Sequence, residues 1–285
     1  MLKTFKKGGI HPAENKFSAK KVIEQLPLPK TVTILVAQHI GAPSKVVVKR
    51  GDEIKAGQLV AQSAGFVSTN IHSSVSGKVA KIETVVDATG YKKEAIIITV
   101  DGDVWDDSID CSPELVTETE LDAKAITDKI LAAGIVGLGG ATFPTHVKLM
   151  PPPGMKPELL IINGVECEPY LTSDHRLMLE KGDELLVGTK LLMKALAVNR
   201  AIIGIERNKP DAIKNLSTLA TKYDGIEVCP LKVKYPQGSE KHLIKAITGR
   251  EVASGALPIS VGTVVNNVGT AFAVYEAVMK NKPLF

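Results

Sequence analysis

The sequence predicts an α/β protein, a Rossmann-like parallel sheet covered by helices, preceded by a small all-β domain. Three observations predict it. Across 31–100, short β-branched runs such as "TVTILVA", "GKVAKIE" and "EAIIITV" are broken by turns, with no helical spacing between them, which reads as a small all-β domain. Beyond residue 113, continuous apolar runs at 158–163, 200–206 and 226–233 alternate with segments whose apolar residues recur at helical spacing. Such runs suit strands buried on both faces, and the alternation suits a parallel sheet. Finally, 285 residues exceed a typical single domain, so two domains are expected.

The elements follow in order. Residues 1–30 form an N-terminal segment that carries charge but no apolar stretch of the secretory kind. The β domain is expected over 31–112, with tight turns at Gly51-Asp52 and Gly57-Gln58 and an inward-facing set of Val46, Val48, Ile54, Leu59 and Val60. "DGDVWDDSIDCSPEL" is acidic and turn-rich, a linker near 101–113. The α/β domain takes 113–285. Its helices are expected at "DELLVGTKLLMKAL", "DAIKNLSTLATKY" and, last, 269–280.

Composition narrows the function. The net charge of +4 comes from interspersed Lys and Asp/Glu, without the basic block that tracks a nucleic-acid backbone, so no DNA or RNA partner is expected. The longest apolar runs fall far short of the roughly 20 residues that span a bilayer, so direct membrane insertion is not expected. Cys111, Cys167 and Cys229 are widely separated and form neither a disulfide framework nor a metal pattern, so no metal site is expected.

Four clusters fall at junctions where strands end and helices begin, the place where open α/β sheets bind ligands. In "GIVGLGGATFPTHVKL", Gly137, Gly139 and Gly140 lack side chains that would keep an anion from main-chain amides, and Lys148 supplies a positive charge. The alternative is a glycine-rich turn for close helix packing. In "INGVECEPYLTSDHR", Asn163, Glu166 and Glu168 follow a strand; carboxylates there only accept hydrogen bonds and suit hydroxyl or ring N–H groups. Alternatively, Asp174 caps the next helix and the glutamates are solvated. "YPQGSEKHL" opens a helix at Gly238-Ser239-Glu240, and "VVNNVGT" offers Asn266 and Asn267 just before the last helix. Each of these is also a common turn or cap.

Together the clusters resemble the RnfC component of the Rnf electron-transport complex and, more distantly, the FMN- and NADH-binding subunit of respiratory complex I. The opening "GGIHPAENK" resembles the start of the RnfC component, and 31–100 resembles a barrel-sandwich hybrid. "GLGGATFPTHVK" stands for the complex I loop G-R-G-G-A-G-F-P-T-G-x-K, "NGVECEP" for N-A-D-E-S-E-P, "YPQGSE" for Y-x-x-G-E-E and "TVVNNVGT" for T-x-N-N-V-E-T. The resemblance implies FMN contacts from Gly137, Gly139, Gly140, Lys148, Asn163, Glu166, Tyr235, Gly238, Ser239, Asn266, Asn267 and Thr270, with Phe143, Glu168 and Glu240 on the side of the nicotinamide nucleotide. Three positions depart from the complex I pattern: Leu138 stands for arginine, Thr142 for glycine and Ser239 for glutamate.

The resemblance implies hydride exchange between NAD(H) and flavin, and single-electron exchange between flavin and iron–sulfur clusters. It also implies partners among the other Rnf subunits, ferredoxin indirectly, and a peripheral place on the cytoplasmic side of the inner membrane. The family's 4Fe-4S clusters belong to a C-terminal region beyond "KNKPLF", so no cluster is expected in this chain. A flavin-free docking module and a cobalamin reductase of similar organisation are the alternatives. "VKRGDEIKAGQLVAQSAGFVSTNIHSSVSGKVAKI" also resembles lipoyl and biotinyl carriers, but the tip near "SAGFVS" has no lysine, which argues against a carrier role.

Overall fold

Short apolar runs between turns form two antiparallel sheets in one unit of the protein. The computed structural model describes residues 2–285. The chain divides into a unit of Gln25–Val147 with Glu276–Phe285, and a second of the segment ending at Glu24 with Lys148–Tyr275. In the first unit the strands are β1 (Thr31–Leu35), β2 (Lys45–Val46), β3 (Glu53–Ile54), β4 (Leu59–Gln62), β5 (Ile71–His72), β6 (Gly77–Val86) and β7 (Lys92–Val100). They run in the orders β1-β7-β6-β3 and β2-β4-β5. Alternate residues point to one core, which includes Ile34, Ile54, Val60, Ile71, Val79, Ile96 and Ile98. Of the expected inward set, Ile54 and Val60 are buried, and Val46 and Val48 pack partly against them. Leu59 does not join them. The β4–β5 register shifts between Leu59 and Ala61, and it is Val60 and Ala61 that are buried.

After the β strands the chain is irregular to residue 122. Within 101–113 it is nonetheless pinned, by a bridge between Ala56 and Trp105 and by an Asp110–Lys280 ion pair of 2.5 Å. Helix α1 (Ala123–Ala132) begins where the Asp122 carboxylate accepts the Ala125 amide, and it buries Ile126 and Ile130, one helical turn apart. A single turn, α2 (Thr145–Lys148), follows the glycine loop.

The second unit contains β8 (Leu159–Gly164), α3 (Ser173–Glu180), α4 (Gly182–Leu196), β9 (Ala201–Glu206), α5 (Pro210–Ala220), β10 (Ile226–Leu231), α6 (Glu240–Thr248), β11 (Thr263–Asn267) and the start of α7 (Val268–Lys280). The four strands are parallel in the order β10-β9-β8-β11. On one face Leu159, Ile161, Ile202 and Val265 meet Leu243, Ile244 and Ile247 of α6. Alternate residues Leu160, Ile162, Ile203 and Ile205 are equally buried, so helices cover both faces, as the near-continuous apolar runs require. Gly188 of α4 lies so close to α7 that a Cβ there would stand 1.9 Å from the Ala271 carbonyl oxygen.

The N-terminal segment runs along this second unit. Lys3 pairs in parallel with Leu231 at the edge of β10, and Ile10 pairs with Tyr235. Phe5 is buried, with the Lys234 ammonium 4.2 Å from its ring centre. Further on, the Ile23 amide donates to the Glu180 carboxylate.

Candidate functional site

The sheet's strand order reverses between β8 and β11, because the chain builds β8, β9 and β10 outward and then returns to the other side of β8. A crevice outside the carboxyl ends of strands at such a point is where open α/β sheets bind ligands. Asn163 and Asn267 face each other there as register partners. The Asn267 side-chain amide donates to the Asn163 carbonyl (3.3 Å) and to Oδ2 of Asp174 (2.6 Å), and its Oδ1 accepts the Gly269 amide at the start of α7. Asn163 in turn donates to the Gly238 carbonyl (2.8 Å), while the Gly238 amide points to Sγ of Cys167 (3.3 Å).

The Glu166 carboxylate accepts the amides of Asp174 (2.7 Å) and His175 (3.3 Å), and so caps α3 from outside the helix. This corrects two expectations: Asp174 lies within α3 rather than capping it, and Glu166 is not merely solvated. Glu168 is exposed. Lys148 Nζ meets Glu240 Oε1 at 3.2 Å and the Val265 carbonyl at 3.0 Å. The carboxylate nearest that ammonium is therefore Glu240, at the first position of α6, rather than Glu166 or Glu168. Ser239 stands at the N-cap of α6 with no side-chain cap bond. Tyr235 is held by its main chain to Ile10, and Thr270 is buried in the first turn of α7.

One residue of this group stands apart. Asn266 is 3% exposed, and neither its Nδ2 nor its Oδ1 has a hydrogen-bond partner. A buried amide left unpaired costs about 1–3 kcal/mol, and native proteins rarely keep one without a use. Its neighbour Asn267 is fully engaged within the fold and serves to build the junction.

Burial dominates the electrostatics of the charged groups around the junction. Burial, followed by the nearby Glu166 charge, pushes the Asp174 carboxyl up to about 6, against the pull of the Asn267 hydrogen bond. Burial likewise raises Glu206 and lowers Lys209. The Lys209 ammonium is satisfied by the Val165 carbonyl at 2.7 Å, tying the root of the 166–171 loop to the carboxyl end of β9.

Gly137, Gly139, Gly140 and Phe143 belong to the other unit. The Gly137 amide donates to the Phe143 carbonyl (2.9 Å), and Val136 pairs with Pro144, so the loop closes on itself. One of the amides expected to be bare is thus already used. Close helix packing does not explain Gly137 and Gly140: a Cβ at Gly140 would meet nothing within 4 Å, one at Gly137 only ordinary contacts, and neither has a positive φ. Thr142, where the complex I loop has glycine, adopts a φ of +49°. That left-handed backbone is costly for a β-branched residue and cheap for glycine.

Sequence reasoning passed over Lys16 and the contact between Cys167 and the Gly238 amide. Lys16 stands in "GGIHPAENK", a motif visible in the sequence, but its contacts lie about 150 residues away. Among the described residues, no group of three His, Cys, Asp or Glu could hold a metal ion, and no helix is long and apolar enough to cross a membrane.

The parallel sheet with its polar switch point defines an open α/β class of domain, and comparison narrows it. Residues 130–276 match the family described as the Nuo51 FMN-binding domain, and residues 3–103 match the RnfC barrel sandwich hybrid domain. In Clostridium ljungdahlii, the C subunit of a proton-translocating ferredoxin:NAD(+) oxidoreductase complex is 50% identical over 286 residues, 100% of this chain and 62% of that relative. Its Na(+)-translocating counterpart in Acetobacterium woodii is 48% identical over 98% of this chain and 63% of its own length. The C subunit of an ion-translocating oxidoreductase complex of Rhodobacter capsulatus is 42% identical over 98% and 54%. This chain belongs to the RnfC family, and it spans 54–63% of the length of these three relatives.

Proposed function

We propose that the chain binds FMN outside the carboxyl ends of β8 and β11 and exchanges electrons with NAD(H), as the flavin-carrying part of an ion-translocating Rnf-type complex. The observation that carries this reading is the unpaired, buried side-chain amide of Asn266, which offers a donor and an acceptor at the switch point of a domain from an FMN-binding family. FMN, when bound, supplies hydride chemistry with the nicotinamide and single-electron chemistry with onward carriers. The protein's own residues hold and orient. Lys148 presents a positive charge suited to phosphate. Asn163, Glu166, Tyr235, Gly238, Ser239, Asn267 and Thr270 shape the flavin side, and Glu168, Glu240 and Phe143 serve the nicotinamide side. Gly139 and Gly140 offer an anion main-chain approach without side chains in the way, while Gly137, its amide held by the Phe143 carbonyl, closes the loop beside them. Onward transfer through iron–sulfur clusters to ferredoxin, and the movement of ions, are assigned to partner proteins of the complex and to parts of the family beyond these residues.

The test is a titration of the protein with FMN, read by quenching of flavin fluorescence, followed by NADH without oxygen. Saturable uptake and bleaching of the yellow colour are expected. Lys148→Ala should weaken FMN binding by about 10- to 150-fold, the equivalent of one charge-assisted hydrogen bond of roughly 1.5–3 kcal/mol. Failure to take up FMN would leave the flavin-free docking module, which Leu138, Thr142 and Ser239 favour. Oxidation of NADH only with added cobalamin would point to a reductase of that kind.

A further inference from the structure

We propose that Lys16 is a positioning residue: it fixes the 166–171 loop and, through it, the nicotinamide-side carboxylate Glu168. The inference rests on the function proposed above for that loop. An ammonium has three N–H groups, and Lys16 directs all three at one loop. Its Nζ donates to the carbonyls of Glu166 (2.9 Å), Glu168 (2.8 Å) and Leu171 (2.6 Å).

A loop gathered this way needs holding. Glu166 and Tyr170 are both non-glycine residues in the left-handed region, with φ of +46° and +70°, a conformation that persists only where the surroundings over-determine it. Lys16 touches the carbonyl of the first and brackets the second. The rest of the N-terminal segment reinforces the grip, with the Tyr170 amide donating to the Glu14 carbonyl (3.0 Å) and Ser18 Oγ lying 2.6 Å from Thr172 Oγ1. The Glu166 carboxylate is meanwhile committed to α3. Glu168, exposed at the middle of the loop, thus owes its place to a side chain about 150 residues upstream. Charge alone does not reproduce this arrangement. Three carbonyls converging on one point fit a compact ammonium, whereas a guanidinium spreads its donors in a planar fork.

The experiment compares the wild type with Lys16→Met and Lys16→Arg. Lys16→Met should keep its FMN affinity and limiting rate of flavin reduction within about twofold, while the NADH concentration giving half that rate rises about tenfold, as for one lost charge-assisted hydrogen bond. Lys16→Arg should not restore it. Amide hydrogen exchange over residues 166–172, measured on flavin-free protein, should quicken in both variants. Unchanged NADH dependence in Lys16→Met, recovery by arginine, or parallel loss of FMN and NADH binding would overturn the proposal. If the wild type takes up no FMN, the functional reading fails separately, and the exchange measurement still decides whether Lys16 holds the loop: unchanged rates overturn it.

Discussion

Asn266 and Asn267 are neighbours in sequence with opposite fates. Asn267 spends its amide on Asn163, Asp174 and Gly269, whereas Asn266 spends nothing. Asn266→Leu, a change of similar shape, should therefore raise the melting temperature of the flavin-free protein, because it removes an unpaired buried amide. The same change should weaken FMN binding about tenfold. A fall in both would show that Asn266 serves the fold instead. The pair was legible as a site from its place between a β-branched run and a helix. Which of the two is free was not legible, since that depends on Asp174, 93 residues away. Lys148 shows the same limit, because its partner Glu240 comes from a different cluster 92 residues on.

Elements were easier to foresee than their junctions. The strands at 158–163 and 200–206 are found at Leu159–Gly164 and Ala201–Glu206, since a run of Ile and Leu buried on both faces has few other solutions. The Leu59 misplacement arose where a register shift interrupts the strict alternation that sequence reading assumes. Gly188 was equally invisible, as nothing local marks it. Its reason is α7, whose Ala271 carbonyl occupies the space a Cβ would need. Gly188→Ala should force α4 and α7 apart and destabilise the protein by about 1–3 kcal/mol in urea denaturation, although alanine is the better helix former. An unchanged midpoint would mean that the two helices have room to separate.

For the whole molecule, the buried carboxyl of Asp174 sets a pH dependence. Its value is raised from 3.8 to about 6, so between those limits the folded protein holds a proton that the unfolded chain has released. Stability contributed by this group therefore falls as pH rises through that window, and the full penalty stands above it. Asp174→Asn, which can still accept from Asn267, should be the more stable at pH 7 and should flatten the curve between about pH 4 and 6. Parallel curves for the two proteins would refute this. Asp110 acts in the opposite sense: Lys280 pulls its carboxyl down to about 2, and its contribution is lost as pH drops from about 4 toward that value.

The strap formed by the N-terminal residues also has a consequence for biosynthesis. Lys3 binds the Ile247 carbonyl, 244 residues further along, and Lys16 binds carbonyls 150 to 155 residues further along. At ribosomal speeds of roughly 5–20 residues per second, Lys3 is translated about 12 to 50 seconds before its partner. Until β10 and the residues that follow it have been made, Phe5 lacks its cover, and a chaperone would find its longest opportunity there.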